Sequence, residues 1–85
     1  MNEQVIEYVL DFIINLKKQV SDCEHEAEKF KTEEGLSDIA AKANKKLSDA
    51  RMKYSDALFL TLFWSQTLPS EDCLNVMQKL SELIL

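Results

Sequence analysis

Val5-Ile6-Glu7-Tyr8-Val9-Leu10-Asp11-Phe12-Ile13-Ile14-Asn15-Leu16 is apolar around most of a helix's circumference, with a thin polar stripe of Glu7, Asp11, Asn15 and, just beyond, Lys18. Ala57-Leu58-Phe59-Leu60-Thr61-Leu62-Phe63-Trp64 shows the same excess further along. A helix with one apolar stripe needs one neighbour; a helix apolar nearly all round needs several. The segments between these two stretches are Ala-rich and densely charged, so they offer little cover. In a chain this short, part of the cover is expected from another copy or another protein.

The 85 residues amount to one domain, 1–85. Such a chain buries only a small core, and association commonly supplements stability at this size. It holds one Gly and one Pro, where average usage would give roughly six and four. Few breakers mean few turns and long elements. With Leu, Lys, Glu, Ala, Ser and Asp abundant, the composition predicts an all-α protein.

The periodicity predicts three helices. Helix 1 is expected from about Glu3 to about Glu34, with an inward line of Val5, Val9, Phe12, Leu16, Val20, Cys23, Ala27 and Phe30. This is a heptad with one four-residue stutter, as for a helix lying along a partner helix. A second apolar line, Ile6, Leu10, Ile13 and Ile14, exists only in its first half. Gly35 is the expected helix stop, because it takes the left-handed conformation at no steric cost. Ser37 is the expected cap of the next helix, and Leu36 is placed to pack onto its first turn. Helix 2 is expected from about Asp38 to about Thr67, along Ala40, Ala43, Leu47, Ala50, Tyr54, Ala57, Thr61, Trp64 and Leu68. The short connection makes the two helices antiparallel neighbours. Pro69 ends helix 2, and Ser70-Glu71-Asp72 signals the next start. Helix 3 is expected from about Glu71 to about Ile84, with Cys73, Val76 or Met77, Leu80 and Leu83 inward. Being about half as long, helix 3 can cover only one end of the hairpin. The expected fold is thus a long antiparallel helical hairpin, coiled-coil-like, plus a shorter third helix, assembling into a helical bundle through its apolar base as a homodimer or higher oligomer; the alternative is a compact three-helix monomer with an internal core.

The formal charge is −5, which argues against phosphate binding as the main role. The charge is uneven. Residues 1–34 hold nine acids and four bases, residues 35–68 three acids and five bases. An acidic first helix beside a basic second one implies complementarity within the hairpin or between copies. The first residues are acidic and no cleavage-like site follows the apolar run, so no secretory leader is expected. No run of about 18 apolar residues is present, so no membrane contact is expected. Cys23 and Cys73 fall on different predicted helices and fit two buried thiols in a reducing cytoplasm.

Chemistry-bearing motifs are sparse. Cys23 and His25, two apart on a helix, point away from each other, and Lys29 occupies the position where a second ligand would stand. Neither a metal nor a cofactor is expected. His25 is the only His and sits among charges, away from any nucleophile arrangement. One Gly excludes a Gly-rich phosphate loop. The carboxylates at helical spacing read as solvated faces, so the chain is not expected to be an enzyme.

Two surface candidates remain. Tyr8, Phe12, Phe59, Phe63 and Trp64 are candidate partner-binding residues, since aromatics are favoured at interfaces; as a set with Tyr54 they are also expected to be mostly core. Lys42, Lys45, Lys46 and Lys53 form a candidate basic face, with Arg51 pointing elsewhere. These lysines are expected to pair with Glu24, Glu28 and Glu33 across the hairpin or to serve solubility, or else to bind an acidic partner or an RNA backbone. The leading expectation is a non-catalytic protein-interaction module: an adaptor, a small chaperone or an inhibitor of the kind phages and mobile elements direct at a host protein. Its partners would be a second copy and another protein. The alternative is an RNA-, DNA- or nucleotide-binding helical dimer that uses the Lys42–Lys53 face.

Overall fold

The computed structural model describes residues 3–30 and 37–84. They form three α-helices and no strand: α1 (Glu3–Phe30), α2 (Ser37–Ser65) and α3 (Ser70–Ile84). This is the all-α hairpin with a shorter third helix that the periodicity predicts. The expected Gly35 stop, the packing of Leu36, the capping by the Ser37 side chain and the stretch of helix 1 beyond Phe30 lie outside the described residues.

The α2–α3 corner follows from Pro69. Three successive amides, Gln66, Thr67 and Leu68, donate to the carbonyls of Phe63, Trp64 and Ser65 at 3.0–3.2 Å. These i to i−3 bonds tighten the last turn and satisfy carbonyls that α2 would otherwise leave open. The Pro69 carbonyl then accepts the Cys73 amide at 2.9 Å, the first bond of α3. The chain reverses there, so α3 runs back along the hairpin in the direction of α1. Lys17 Nζ donates to the Leu83 carbonyl and fixes the far end of α3.

The core sits where the three helices meet. Ile6, Leu10 and Ile13 of α1, Leu68 of the corner, and Val76 and Leu80 of α3 form one buried cluster, with Tyr54, Ala57, Leu58, Trp64 and Leu83 packed against it. Ile13 and Val76 are both 0% exposed. Beyond this base the hairpin continues as a two-helix stalk. The radius of gyration is 16.3 Å, against roughly 12 Å for a compact chain of this length. The molecule measures 55 × 19 × 17 Å.

The inward line of α1 differs from the expected one. Val5 and Phe12 are exposed, while Ile6 and Ile13 are buried. The line actually used is Ile6, Val9, Ile13, Leu16, Val20, Cys23, Ala27 and Phe30, every residue buried or half-buried. Its steps alternate three and four without a break. That unbroken heptad keeps one stripe against α2 along the whole helix, whereas the line through Val5 and Phe12 needs a stutter. Leu10, one turn from Ile6, adds a second buried edge. The α2 line matches expectation throughout, and on α3 Val76 turns inward while Met77 is exposed.

Two polar residues belong to the packed seam. Thr61 and Ser65 are buried. Their hydroxyls donate to the carbonyls of Ala57 and Leu62, each at 2.7 Å. Bonding back to the helix leaves no orphan polar group, and the small side chains let the helices approach. Ser65 was not in the expected line, because a serine carries no apolar signal.

The adjacent isoleucines of the second line test the register, since Ile13 lies in the buried stripe and Ile14 beside it. Ile13→Ala should cost about 3 kcal/mol in urea unfolding, while Ile14→Ala, at a largely exposed position, should cost less than about 1 kcal/mol. Equal losses would contradict the register of α1.

Candidate interaction surface

Helix geometry sorts the hairpin into two faces. Phe12 and Ile14 point about 160° apart around α1, as do Leu58 and Leu60 around α2. Ile14 lines a groove with Lys79 and Leu83 of α3, and Leu58 lines another with Leu83 and Ile84. Phe12 and Leu60 therefore face the side that α3 leaves open. The stalk gives the same result. Gln19 and Glu26 lie seven and fourteen residues beyond Phe12, Lys53 and Lys46 seven and fourteen before Leu60, so each set is one stripe. Gln19, Glu26, Lys46 and Lys53 line a single groove.

The open face thus has two zones. Its base half carries Val5, Tyr8 and Phe12 from α1 and Leu60 and Phe63 from α2, with half-buried Trp64 between them. Tyr8 is 72% exposed, Phe63 71%, Leu60 69% and Phe12 50%. Its stalk half carries Asp22, Glu26, Lys46, Asp49 and Lys53 around half-buried Cys23 and Ala50.

Tyr8, Phe12, Phe63 and Trp64 therefore come together. Phe59 stands one turn from Phe63 on the outer flank of α2, at the margin of the face, and is exposed. The expectation that the aromatics are mostly core does not hold within this chain: Tyr54 and Trp64 are half-buried, the other four of that set exposed. The reason is the length of α3, which covers one side of the base and has no counterpart on the other. Val5 and Leu60 complete the face but were not among the candidates. Their seven-residue spacing from Phe12 and Lys53 is the signal that places them.

Lys42, Lys45, Lys46 and Lys53 are all exposed. Lys46 Nζ lies 3.8 Å from Glu26 Oε2, and Arg51 Nη2 donates to Glu24 Oε1 at 3.4 Å. Both pairs bridge α1 and α2, on opposite sides of the seam. The lysines are interleaved with carboxylates: Asp22, Glu26 and Asp49 share the groove of Lys46 and Lys53. His25 is exposed on the stalk, and Cys73 Sγ touches Met77 Sδ at 3.9 Å. Among the described residues no group of three or more His, Cys, Asp or Glu converges, and no helix is long and apolar enough to cross a membrane. The chain matches no family model, no curated protein and no solved structure.

The bridging ion pairs are exposed, so each contributes little. Lys46→Ala and Arg51→Ala should each change unfolding free energy by less than about 1 kcal/mol, and less still in high salt. A larger loss would mean that the stalk is held by charge rather than by its Ala seam.

Proposed function

We propose that this chain is a non-catalytic protein-interaction module, of the adaptor, small-chaperone or inhibitor type, and that it docks through the apolar base of its open face. The observation that carries this reading is the joint exposure of Tyr8, Phe12, Leu60 and Phe63 beside Trp64. With Val5, these side chains leave roughly 600 Å² of apolar surface in water. Single chains rarely expose a contiguous apolar patch larger than a few hundred Å² unless it binds something. Buried aromatics with two stiff torsions give large contact area at low entropic cost, which suits them as anchors.

The nucleic-acid reading has weaker support. A backbone-binding surface needs a net positive stripe, whereas Lys46 is paired with Glu26 and its groove holds two further aspartates.

Phe63→Asp and Tyr8→Asp should keep the helical circular dichroism and abolish association at micromolar concentration, read by light scattering. Ser48→Asp on the stalk should keep both. If the two base variants and Ser48→Asp give identical masses and identical hydrophobic-dye binding, the open face is not a docking surface.

A further inference from the structure

We infer that the occupant of the open face is a second copy of this chain, related by a two-fold axis parallel to the long axis, so that α1 of one protomer lies against α2 of its partner. The inference rests on the docking reading above and names the partner.

Three observations carry it. The first is area. About 600 Å² of apolar surface per protomer, with the rim of the face, approaches the roughly 800 Å² per partner of a stable interface.

The second is charge. In the stalk half of the open face α1 presents Asp22 and Glu26, a net −2, and α2 presents Lys46, Asp49 and Lys53, a net +1. Two hairpins stacked face to face about a two-fold axis have two simple arrangements. An axis running across the helices sets α1 on α1, which opposes like charges. An axis along them sets α1 on the partner's α2, which opposes unlike charges. Charge complementarity of this kind selects orientation more than strength.

The third is shape. The Glu26–Lys46 and Glu24–Arg51 pairs mark the antiparallel register of the hairpin. That register puts Phe63 level with the gap between Tyr8 and Phe12. A two-fold along the helices preserves levels, so Phe63 of each protomer meets that gap on the other, a knob entering a hole. The result is a four-helix stalk above a six-helix base, with each α3 on the outside.

Cys23 reports on this arrangement. It is half-buried in the stalk groove of the open face, close to the seam. The lengthwise axis brings the two Cys23 thiols to the same level, near the axis. The crosswise axis, centred on the aromatic base, puts them on the order of 40 Å apart, about thirteen residues of helix on either side.

The experiment uses the full chain carrying Cys73→Ser, so that Cys23 is the one thiol. Light scattering gives the mass, and a short bismaleimide cross-linker is applied at the same concentration. A dimer mass with most of the chain cross-linked at Cys23, lost in Phe63→Asp, is the expected result. A dimer that does not cross-link at Cys23 overturns the lengthwise arrangement. A monomer that binds hydrophobic dye through Phe63 overturns self-association while the docking reading stands. A monomer whose dye binding is unchanged by Phe63→Asp overturns both.

Discussion

Everything in this molecule follows from where α3 meets the hairpin. Ile13 of α1 and Val76 of α3 are fully buried, and Ile6, Leu10, Leu68 and Leu80 close around them. This is the only place in the described chain where three helices share one cluster. A two-helix contact encloses only a small side chain such as Ala43, whereas three helices can enclose a large aliphatic, whose full burial is worth about 1.5–3 kcal/mol. The corner at Pro69 makes the meeting possible by turning the chain within a few residues.

The lengths of the helices then dictate the rest. At 15 residues, α3 is about half as long as α1 and α2, so it covers one end and one side. The uncovered end becomes a stalk whose seam is lined largely by Ala27, Ala40, Ala43 and Ala50, with charges outside. Small seam residues let two helices approach closely without a third, at the cost of little buried area. The uncovered side of the base has no such adaptation. It keeps large aromatics in water, and this mismatch between composition and cover is the physical ground for reading the chain as half of an interaction.

The sequence made much of this legible. One Gly, one Pro and the three-four alternation were enough for three helices and their order. The α2 seam was readable because Ala and Tyr54 mark it unambiguously. The α1 register was not, since Val5-Ile6 and Phe12-Ile13 offer two apolar lines side by side, and only contact with α2 and α3 together chooses between them. Ser65 illustrates another limit: its place in the seam depends on bonding back to Leu62, which leaves no mark in hydropathy. For the site, aromatic content pointed to Tyr8, Phe12, Phe59, Phe63 and Trp64, but only the position of α3 separates the four on the open face from Phe59 at its margin.

Residue-resolved amide hydrogen exchange tests most directly whether the three-helix base holds the fold. The account predicts the slowest exchange in Ile13–Leu16 and Val76–Leu80, with amides near Ala27 and Ala43 exchanging orders of magnitude faster through partial opening of the stalk. Equal protection along the hairpin, or slowest exchange in the stalk, would contradict it.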